Sequence, residues 1–172
     1  MPSSTWDFSF LSSRAYMLTT TAGPGTIELF CFRGRPDAGA PGEGREDTSA
    51  HAATLLLPRL RAGHEPHHFA THSGPFVRYQ TRGRAFGTAR ESRVHLMSIH
   101  YGERGPMFHM FVLNRFLLSL VPRVGHLPPH PAPPPAHEWV QWGPRHTRFL
   151  EHSVNFQWLR CVRPAGAVVD ER

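Results

Sequence analysis

Short apolar segments separated by glycine- and proline-containing turns follow one another along this chain of 172 residues, and this pattern limits the fold more than any other feature. Aromatic and β-branched residues enrich the segments, which favours strands, and none approaches the ~18 uninterrupted apolar residues of a membrane-spanning helix. Repeated short strands with turns are typical of an all-β sandwich, barrel or propeller. We therefore predict one β-rich domain over residues 1–172, built of antiparallel meanders as an incomplete β-propeller or an open sandwich.

The strand pattern is clearest in three places. Ala15–Phe32 reads as a hairpin, because two alternating apolar runs flank the turn residues Ala22–Gly25. Ala52–Leu57 reads as one strand that stops at Pro58, with a helical turn as the alternative. Beyond residue 93 a three-stranded meander is predicted over Val94–Tyr101, Met107–Leu113 and Phe116–Val121, against the alternative of one apolar helix from Met107 to Val121.

Three other regions differ in composition from these strands. Arg33–Ala50 has no large apolar residue and is predicted to be a mobile loop, because it cannot bury enough surface to offset its ordering entropy. Proline dominates Pro122–Pro135, which is interpreted as an extended linker. Residues 136–163 form a tryptophan-rich C-terminal segment that holds three of the four tryptophans.

Charge and composition exclude several function classes. All 19 basic residues are arginine, and the formal net charge is +6. A Walker phosphate loop and Schiff-base catalysis both need a lysine, so neither is available. The arginines are spread along the chain, as on a solvated surface, whereas a nucleic-acid groove would concentrate them. Arginine-driven nucleic-acid binding is therefore kept as an alternative function only.

Histidines cluster between His64 and His72, which suggests a metal site at first sight. In a strand, His64, His68 and His72 would share a face at intervals of about 13 Å, too far apart for bonds of ~2.1 Å to one zinc ion. We expect solvated loop histidines, no bound metal and no cofactor. Cys31 and Cys161 are far apart in the sequence and are expected to be buried thiols in a reducing compartment, the cytoplasm or nucleus.

Motifs for catalysis and for RNA binding are weak. The chain has no Gly-x-Ser-x-Gly and no His-Glu-x-x-His, so an enzyme is disfavoured, and a hydrolase-type site hidden from the sequence is the least favoured alternative. Arg82–Gly87 shares residues with an RNA-stacking motif, but Arg84 and Ala89 occupy two of its three aromatic positions. Arg90 and Arg93 lie nearby, within reach of a phosphate.

The tryptophan-rich segment holds the best candidate binding residues. Trp139 and Trp142 are separated by an odd spacing, which in an extended segment places one inward and one outward. An outward tryptophan flanked by arginine matches the composition of protein-binding hot spots. The candidate partner-binding residues are Trp139, Trp142, Arg145, Arg148 and Trp158.

Several segments resemble the C-terminal region of a large group of uncharacterised fungal, chiefly basidiomycete, F-box-type proteins. The resemblance rests on Ala15–Phe32, His51–Leu60, Arg93–Val112, Trp142–Arg148 and Phe156–Arg160. It implies an all-β, propeller-like region downstream of an F-box that docks onto a cullin-based ubiquitin ligase.

The chain departs from that family in two ways. The sequence Cys161–Gly166 replaces the family's usual closing run, and no helical F-box precedes the first hairpin. We therefore expect a non-catalytic protein-recognition module, the substrate-side part of an F-box-type receptor. It should bind a protein partner without binding the ubiquitin-ligase adaptor, a membrane or nucleic acid.

Overall fold

The computed structural model describes residues 5–32, 49–60, 65–72, 92–122 and 133–152. Within these ranges the chain forms strands and two short helices. Their order is β1 Thr5–Phe10, β2 Ala15–Thr20, β3 Thr26–Phe32, β4 Ser49–Leu56, β5 Pro66–Thr71, β6 Val94–Tyr101, β7 Met107–Leu113, α1 Asn114–Ser119, β8 Ala136–His137, α2 Trp139–His146 and β9 Thr147–Glu151.

The strands form two sheets, and the described residues close no barrel. One sheet has the order β1-β2-β3-β4-β8, in which only the short β4–β8 pair is parallel. The other has the order β5-β6-β7-β9 and is antiparallel throughout. The architecture is an all-β open sandwich, which confirms the predicted fold class.

The β2–β3 hairpin forms where the sequence predicts it, with Ala15 opposite Cys31 and Thr20 opposite Thr26. Gly25 in its turn has φ +81°, a backbone conformation that L side chains rarely adopt. A Cβ there would lie 2.8 Å from Pro66 Cγ and 2.9 Å from Leu57 Cδ1. Glycine is therefore required both by the turn and by the strand segments packed over it.

The core lies between the inner faces of the two sheets. Alternate residues of each strand point inward, as period-2 burial in β3 illustrates with Ile27 and Leu29. The largest fully buried side chains come from both sheets and from α1, and include Met17, Ile27, Leu29, Leu55, Phe69, Met97, Ile99, Tyr101, Met110 and Leu117.

Two polar side chains of the five-stranded sheet join it to β5. Asp7 Oδ2 accepts hydrogen bonds from the backbone N–H and from the hydroxyl of Thr71, both at 2.8 Å. Thr19 Oγ1 donates to the backbone oxygen of Phe69 at 2.9 Å. The backbone of β5 is thereby held against β1 and β2 at one corner of the sandwich.

Two segment predictions need correction at their ends. The predicted loop 33–50 overlaps β4, because Ser49 and Ala50 pair with Phe32 and Cys31, and Ala50 is buried. In the predicted linker 122–135, the Pro135 carbonyl accepts a hydrogen bond from Thr54 N at 2.9 Å. Residues 33–48 and 123–132 lie outside the described ranges, so the rest of both predictions stays a prediction.

The predicted strand Phe116–Val121 is wrong, because the chain turns into helix α1 at Asn114. The Asn114 side chain is buried; it donates to Leu11 O at 3.1 Å and pairs with His95 Nε2 at 3.0 Å. These bonds fix the end of β7, and the leucine-rich residues that follow favour a helix more than β-branched residues would. Neither described helix combines the length and the apolar character that crossing a membrane requires.

Candidate functional site

Five aromatic residues cover the outer face of the five-stranded sheet. Period-2 alternation places them on the side opposite to the core, since β2 and β3 turn Met17 and Leu29 inward. We call this surface the aromatic face, and it consists of Phe8, Phe10, Tyr16, Phe30 and Phe32.

Strand register places these residues side by side on neighbouring strands. Phe10 lies opposite Tyr16, Tyr16 opposite Phe30, and Phe30 opposite His51. Tyr16 and Phe30 stack with ring centroids 5.1 Å apart and planes 8° from parallel, and Phe30 stacks on His51 at 4.6 Å. Cross-strand aromatic pairs of this kind contribute about 0.2–1 kcal/mol each, so the layer supports the sheet as well as covering it.

The aromatic face is unusually exposed to solvent for a surface made of large apolar rings. Phe8 is 49% exposed, Phe10 45% and Phe32 38%, while Tyr16 and Phe30 are half-buried between them. Single exposed apolar residues are ordinary, but a contiguous exposed apolar patch marks an interaction site. Exposure is concentrated on β1 and on the end of β3, where the β1–β2 turn lies.

Arginine lies at one end of the aromatic face. Arg14 is exposed in the β1–β2 turn, and its backbone oxygen accepts from Phe32 N at 2.8 Å. Arg93 Nη1 donates to Phe10 O at 3.2 Å, and partial burial lowers the pKa of this guanidinium from its usual value. Glu28 lies on the same face farther along, opposite Leu18 and Thr54. The surface is therefore apolar in the middle and positively charged at the β1–β2 end.

The central ring of this face, Phe30, has both flat sides covered. Phe30 has Tyr16 on one side and His51 on the other, in near-parallel stacks. Phe8 and Phe10 meet edge-to-face at 5.3 Å. A nucleic-acid base needs an open ring face on which to stack, and Phe30 offers none. The ring edges, which carry the positive end of the aromatic quadrupole, remain for a ligand.

The structure places Trp139 and Trp142 in helix α2, where their i, i+3 spacing puts them on one side. The predicted placement on opposite faces of an extended segment is therefore wrong. Their rings meet edge-to-face at 5.0 Å. Trp142 is 2% exposed, and its indole N–H donates to Leu56 O at 3.1 Å, so it belongs to the core.

Two local features explain why this segment is helical. Glu138 and Gln141 form a capping box, in which the Glu138 N–H donates to Gln141 Oε1 at 2.9 Å. Gly143 leaves room for the Trp139 ring, since a Cβ at this position would lie 2.4 Å from ring carbons of Trp139. The helix can therefore carry two large rings close to its own backbone.

Of the other predicted partner-binding residues, two are exposed and one lies outside the described residues. Arg145 is exposed in the last turn of α2, and Arg148 is exposed in β9, with Nη1 donating to Thr147 O at 3.3 Å. Trp158 lies outside the described residues. The described part of the tryptophan-rich segment thus presents arginine to solvent while one tryptophan is buried.

The histidine-rich stretch forms strand β5 from Pro66 onward, so the expectation of loop histidines is wrong for this part. The ring of His68 packs edge-to-face against Trp6 at 4.8 Å. His72 Nε2 lies 2.9 Å from Ser98 Oγ. Among the described residues no three histidine, cysteine or acidic side chains are placed to hold a metal ion, and His64 lies outside them.

Cys31 is buried in β3, as predicted, and its thiol lies 3.7 Å from Ala50 O. Cys161 and the segment Arg82–Arg90 lie outside the described residues, so the predictions about them stay predictions. Of the arginines proposed to contact phosphate, Arg93 is described, and it turns toward the backbone of β1.

Sequence reasoning missed the aromatic face, although a signal for it exists. Trp6, Phe8 and Phe10 alternate with Asp7 and Ser9 in strict period 2, which predicts a strand with aromatic residues on one side. Trp6 leaves this pattern, because a register shift between Thr5 and Asp7 turns it toward His68.

Comparison of the chain with protein-family models, curated proteins and solved structures finds no match.

Proposed function

We propose that this chain is a non-catalytic protein-recognition module and that its binding surface is the aromatic face. The observation that carries the proposal is the exposure of Phe8, Phe10 and Phe32 on the same face of one sheet. Aromatic residues with neighbouring arginine dominate the energetics of protein interfaces. Arg14 and Arg93 supply the arginine at one end.

The partner that fits this surface is an extended protein segment with aliphatic and acidic side chains. Aliphatic side chains of the partner would cover the rings of the aromatic face. This contact would remove the largest share of apolar surface from water on binding. Carboxylates would meet Arg14 and the ring edges, both of which attract negative charge. The formal net charge of +6 favours encounter with an acidic segment over a basic one.

Single-stranded nucleic acid fits the same surface less well. Phe30 is covered on both sides by Tyr16 and His51, so stacking of bases would require these pairs to separate. Glu28 places a carboxylate on the face, where it would repel phosphates. A role in a ubiquitin ligase, with target binding but no adaptor binding, stays a prediction that depends on the resemblance. A cytoplasmic or nuclear location stays a prediction from the sequence.

The test selects ligands from a phage-displayed library of random peptides about a dozen residues long. We expect enrichment of peptides that combine aliphatic and acidic residues, with binding measured on synthetic copies. Phe10→Ala and Phe32→Ala should each weaken binding by ~30-fold, since truncating a hot-spot aromatic costs about 2 kcal/mol. Leu150→Ala is the matched control, because Leu150 is 43% exposed on the other sheet.

Two outcomes would contradict the proposal. Binding of the selected peptides to the folded Phe10→Ala and Phe32→Ala proteins as tightly as to the original would place the site elsewhere. Binding of a single-stranded RNA homopolymer instead, with affinity that falls steeply as salt rises, would assign the surface to nucleic acid. Thermal melts of both variants separate lost binding from lost folding.

A further inference from the structure

On the outer face of the five-stranded sheet, side chains are less exposed along β2 than on β1 or at the end of β3. Phe8 on β1 is 49% exposed, whereas Leu18, which lies opposite it on β2, is 8% exposed. Tyr16 is half-buried, and Phe32 on β3 is 38% exposed. The strip above Tyr16 and Leu18 is therefore a shallow trough between more exposed side chains, and we call it the β2 groove.

Opposite charges lie at the two ends of the β2 groove. Arg14 is exposed and immediately precedes Ala15, which is buried on the inner side, so the arginine points outward. Phe32 N donates to Arg14 O, which places Arg14 beside Phe32. Glu28 is half-buried on the same outer side of β3, four residues before Phe32. At about 3.3 Å per residue, the two charges are about 13 Å apart along the strands.

Glu28 restricts which ligand this surface accepts. Its neighbours across the strands are Leu18 and Thr54, and its neighbours on the same side of β3 are Thr26 and Phe30. None of these four side chains carries a positive charge. A segment that covers the groove would take the carboxylate out of water, which is unfavourable unless a positive charge on the segment pairs with it.

The spacing of the two charges matches an extended polypeptide. Such a segment turns every second side chain toward the sheet, so its residues i, i+2 and i+4 would face the groove. These three residues span about 13 Å, which is the separation of Arg14 and Glu28 along the strands. The middle side chain would then lie over Tyr16. Beyond Glu28 the surface becomes polar, because Thr20 Oγ1 and Thr26 Oγ1 lie 2.9 Å apart in a hydrogen bond.

We propose that the β2 groove selects extended segments of another protein in which an acidic and a basic side chain stand four positions apart, with an aliphatic side chain midway. The acidic side chain pairs with Arg14, the aliphatic one covers Tyr16, and the basic one pairs with Glu28. This inference rests on the proposed function and adds to it the position and the sign of the second charge. Either chain direction satisfies the pairing, because reversing the segment reverses the order of its charges.

The proposal distinguishes this segment from uniformly charged ones. A wholly acidic segment gains from Arg14 but brings a carboxylate against Glu28. A wholly basic segment pairs with Glu28 but brings a cation against Arg14. The overall net charge of +6 therefore favours encounter with acidic partners, whereas the β2 groove favours those that also carry one basic residue at the stated position.

The test uses the tightest phage-selected peptide, made synthetically, in calorimetric titrations with the full chain. We expect the selected peptides to share the acidic, aliphatic and basic spacing. Replacing the basic residue of the peptide by Gln should weaken binding about fivefold, the upper end for an ion pair at a surface. Glu28→Gln should weaken binding of the original peptide by the same factor. The two changes together should weaken it no more than either alone.

Charge reversal gives a second, stronger measurement. Glu28→Arg should bind a peptide whose basic residue is changed to Glu more tightly than it binds the original peptide, which inverts the preference of the unaltered chain. Glu151→Gln, which alters an exposed carboxylate of the other sheet, is the matched control and should leave both affinities unchanged. Glu28→Gln retains the shape of the side chain and decides the question if Glu28→Arg does not fold.

The outcomes separate this inference from the proposed function. Peptides that depend on Phe10 and Phe32 but bind Glu28→Gln as tightly as the unaltered chain would overturn the inference and leave the proposed function in place. Selected peptides without a basic residue four positions from an acidic one would do the same. Peptides that bind independently of Phe10 and Phe32 would overturn both.

Discussion

The tryptophan helix and the aromatic face use similar residues for opposite purposes. In α2, two tryptophans three positions apart turn to the same side of a helix, and Trp142 is buried with its N–H bonded to Leu56 O. In β1, Phe8 and Phe10 are two positions apart on a strand and remain about half exposed. Aromatic composition alone therefore says little about binding, because the local period decides which rings the core receives.

The largest effect is expected from removing the buried ring. Trp142→Ala should lower the free energy of unfolding by about 3–5 kcal/mol, as loss of a large core aromatic side chain does. Chemical denaturation measures this effect, and Val140→Ala, which alters a side chain 79% exposed on the same helix, is the control. A folded Trp142→Ala protein of unchanged stability would contradict this prediction, since the packing of α2 would then not depend on the Trp142 ring.

The second largest effect concerns the hydrogen bonds that hold the end of β1, the strand that carries Phe8 and Phe10. His95 is fully buried and bonded to Asn114, whose amide holds Leu11 O. Burial lowers the pKa of His95 from 6.5 to about 4; nearby Arg93 lowers it too, and the Asn114 bond partly opposes both. Between these two pKa values the unfolded chain therefore binds a proton on His95 more readily than the folded chain does. The contribution of neutral His95 to the free energy of unfolding is fully present above pH 6.5 and declines as the pH falls toward 4.

As the pH falls from 6.5 toward 4, protonation linked to His95 should lower the free energy of unfolding by about 3 kcal/mol. His95→Gln keeps a donor for Asn114 Oδ1 and does not titrate, so denaturation at several pH values should show a shallower decline. His146→Gln, an exposed histidine of α2, should behave like the unaltered chain. Equal slopes in His95→Gln and the unaltered chain would show that the β1 anchor is not the acid-sensitive part.

The smallest effect is expected at Arg145, which the sequence places in the candidate binding surface. Because it is exposed in the last turn of α2, Arg145→Ala should change the free energy of unfolding by no more than about 0.5 kcal/mol. Binding of the selected peptides should also be unchanged in calorimetric titrations. A loss of about 30-fold would instead bring α2 into the binding surface beside the aromatic face.

The sequence predicted the strands well where period-2 alternation and a turn agree. The β2–β3 hairpin and the strands Val94–Tyr101 and Met107–Leu113 follow directly from these local signals. Helix α2 was missed although a local signal exists, since Glu138 and Gln141 have the spacing of a capping box. Helix α1 was missed because its cause lies outside the local apolar pattern. Asn114 ends a strand through bonds to His95 and Leu11, which are distant in sequence.

The sites were harder to predict than the strands. Tyr16, Phe30 and His51 become neighbours only through the register of three strands, and no single segment reveals the layer. Hydrogen bonds between His72, Ser98, His109 and His152 likewise join four distant segments, each of which contributes one polar residue. Sequence spacing argues against one metal held by His68 and His72, but it cannot pair either ring with a residue far along the chain.

The bonds from Asp7 and Thr19 to β5 have a consequence for solubility. An edge strand presents unpaired backbone groups that can template a strand of another copy and so lead to aggregation. Here the Asp7 carboxylate accepts a hydrogen bond from the Thr71 N–H, and the Thr19 hydroxyl donates one to the Phe69 carbonyl. Two side chains thus stand in for a missing neighbouring strand, and they shield this margin of the sandwich from the edge-to-edge association that builds fibrils.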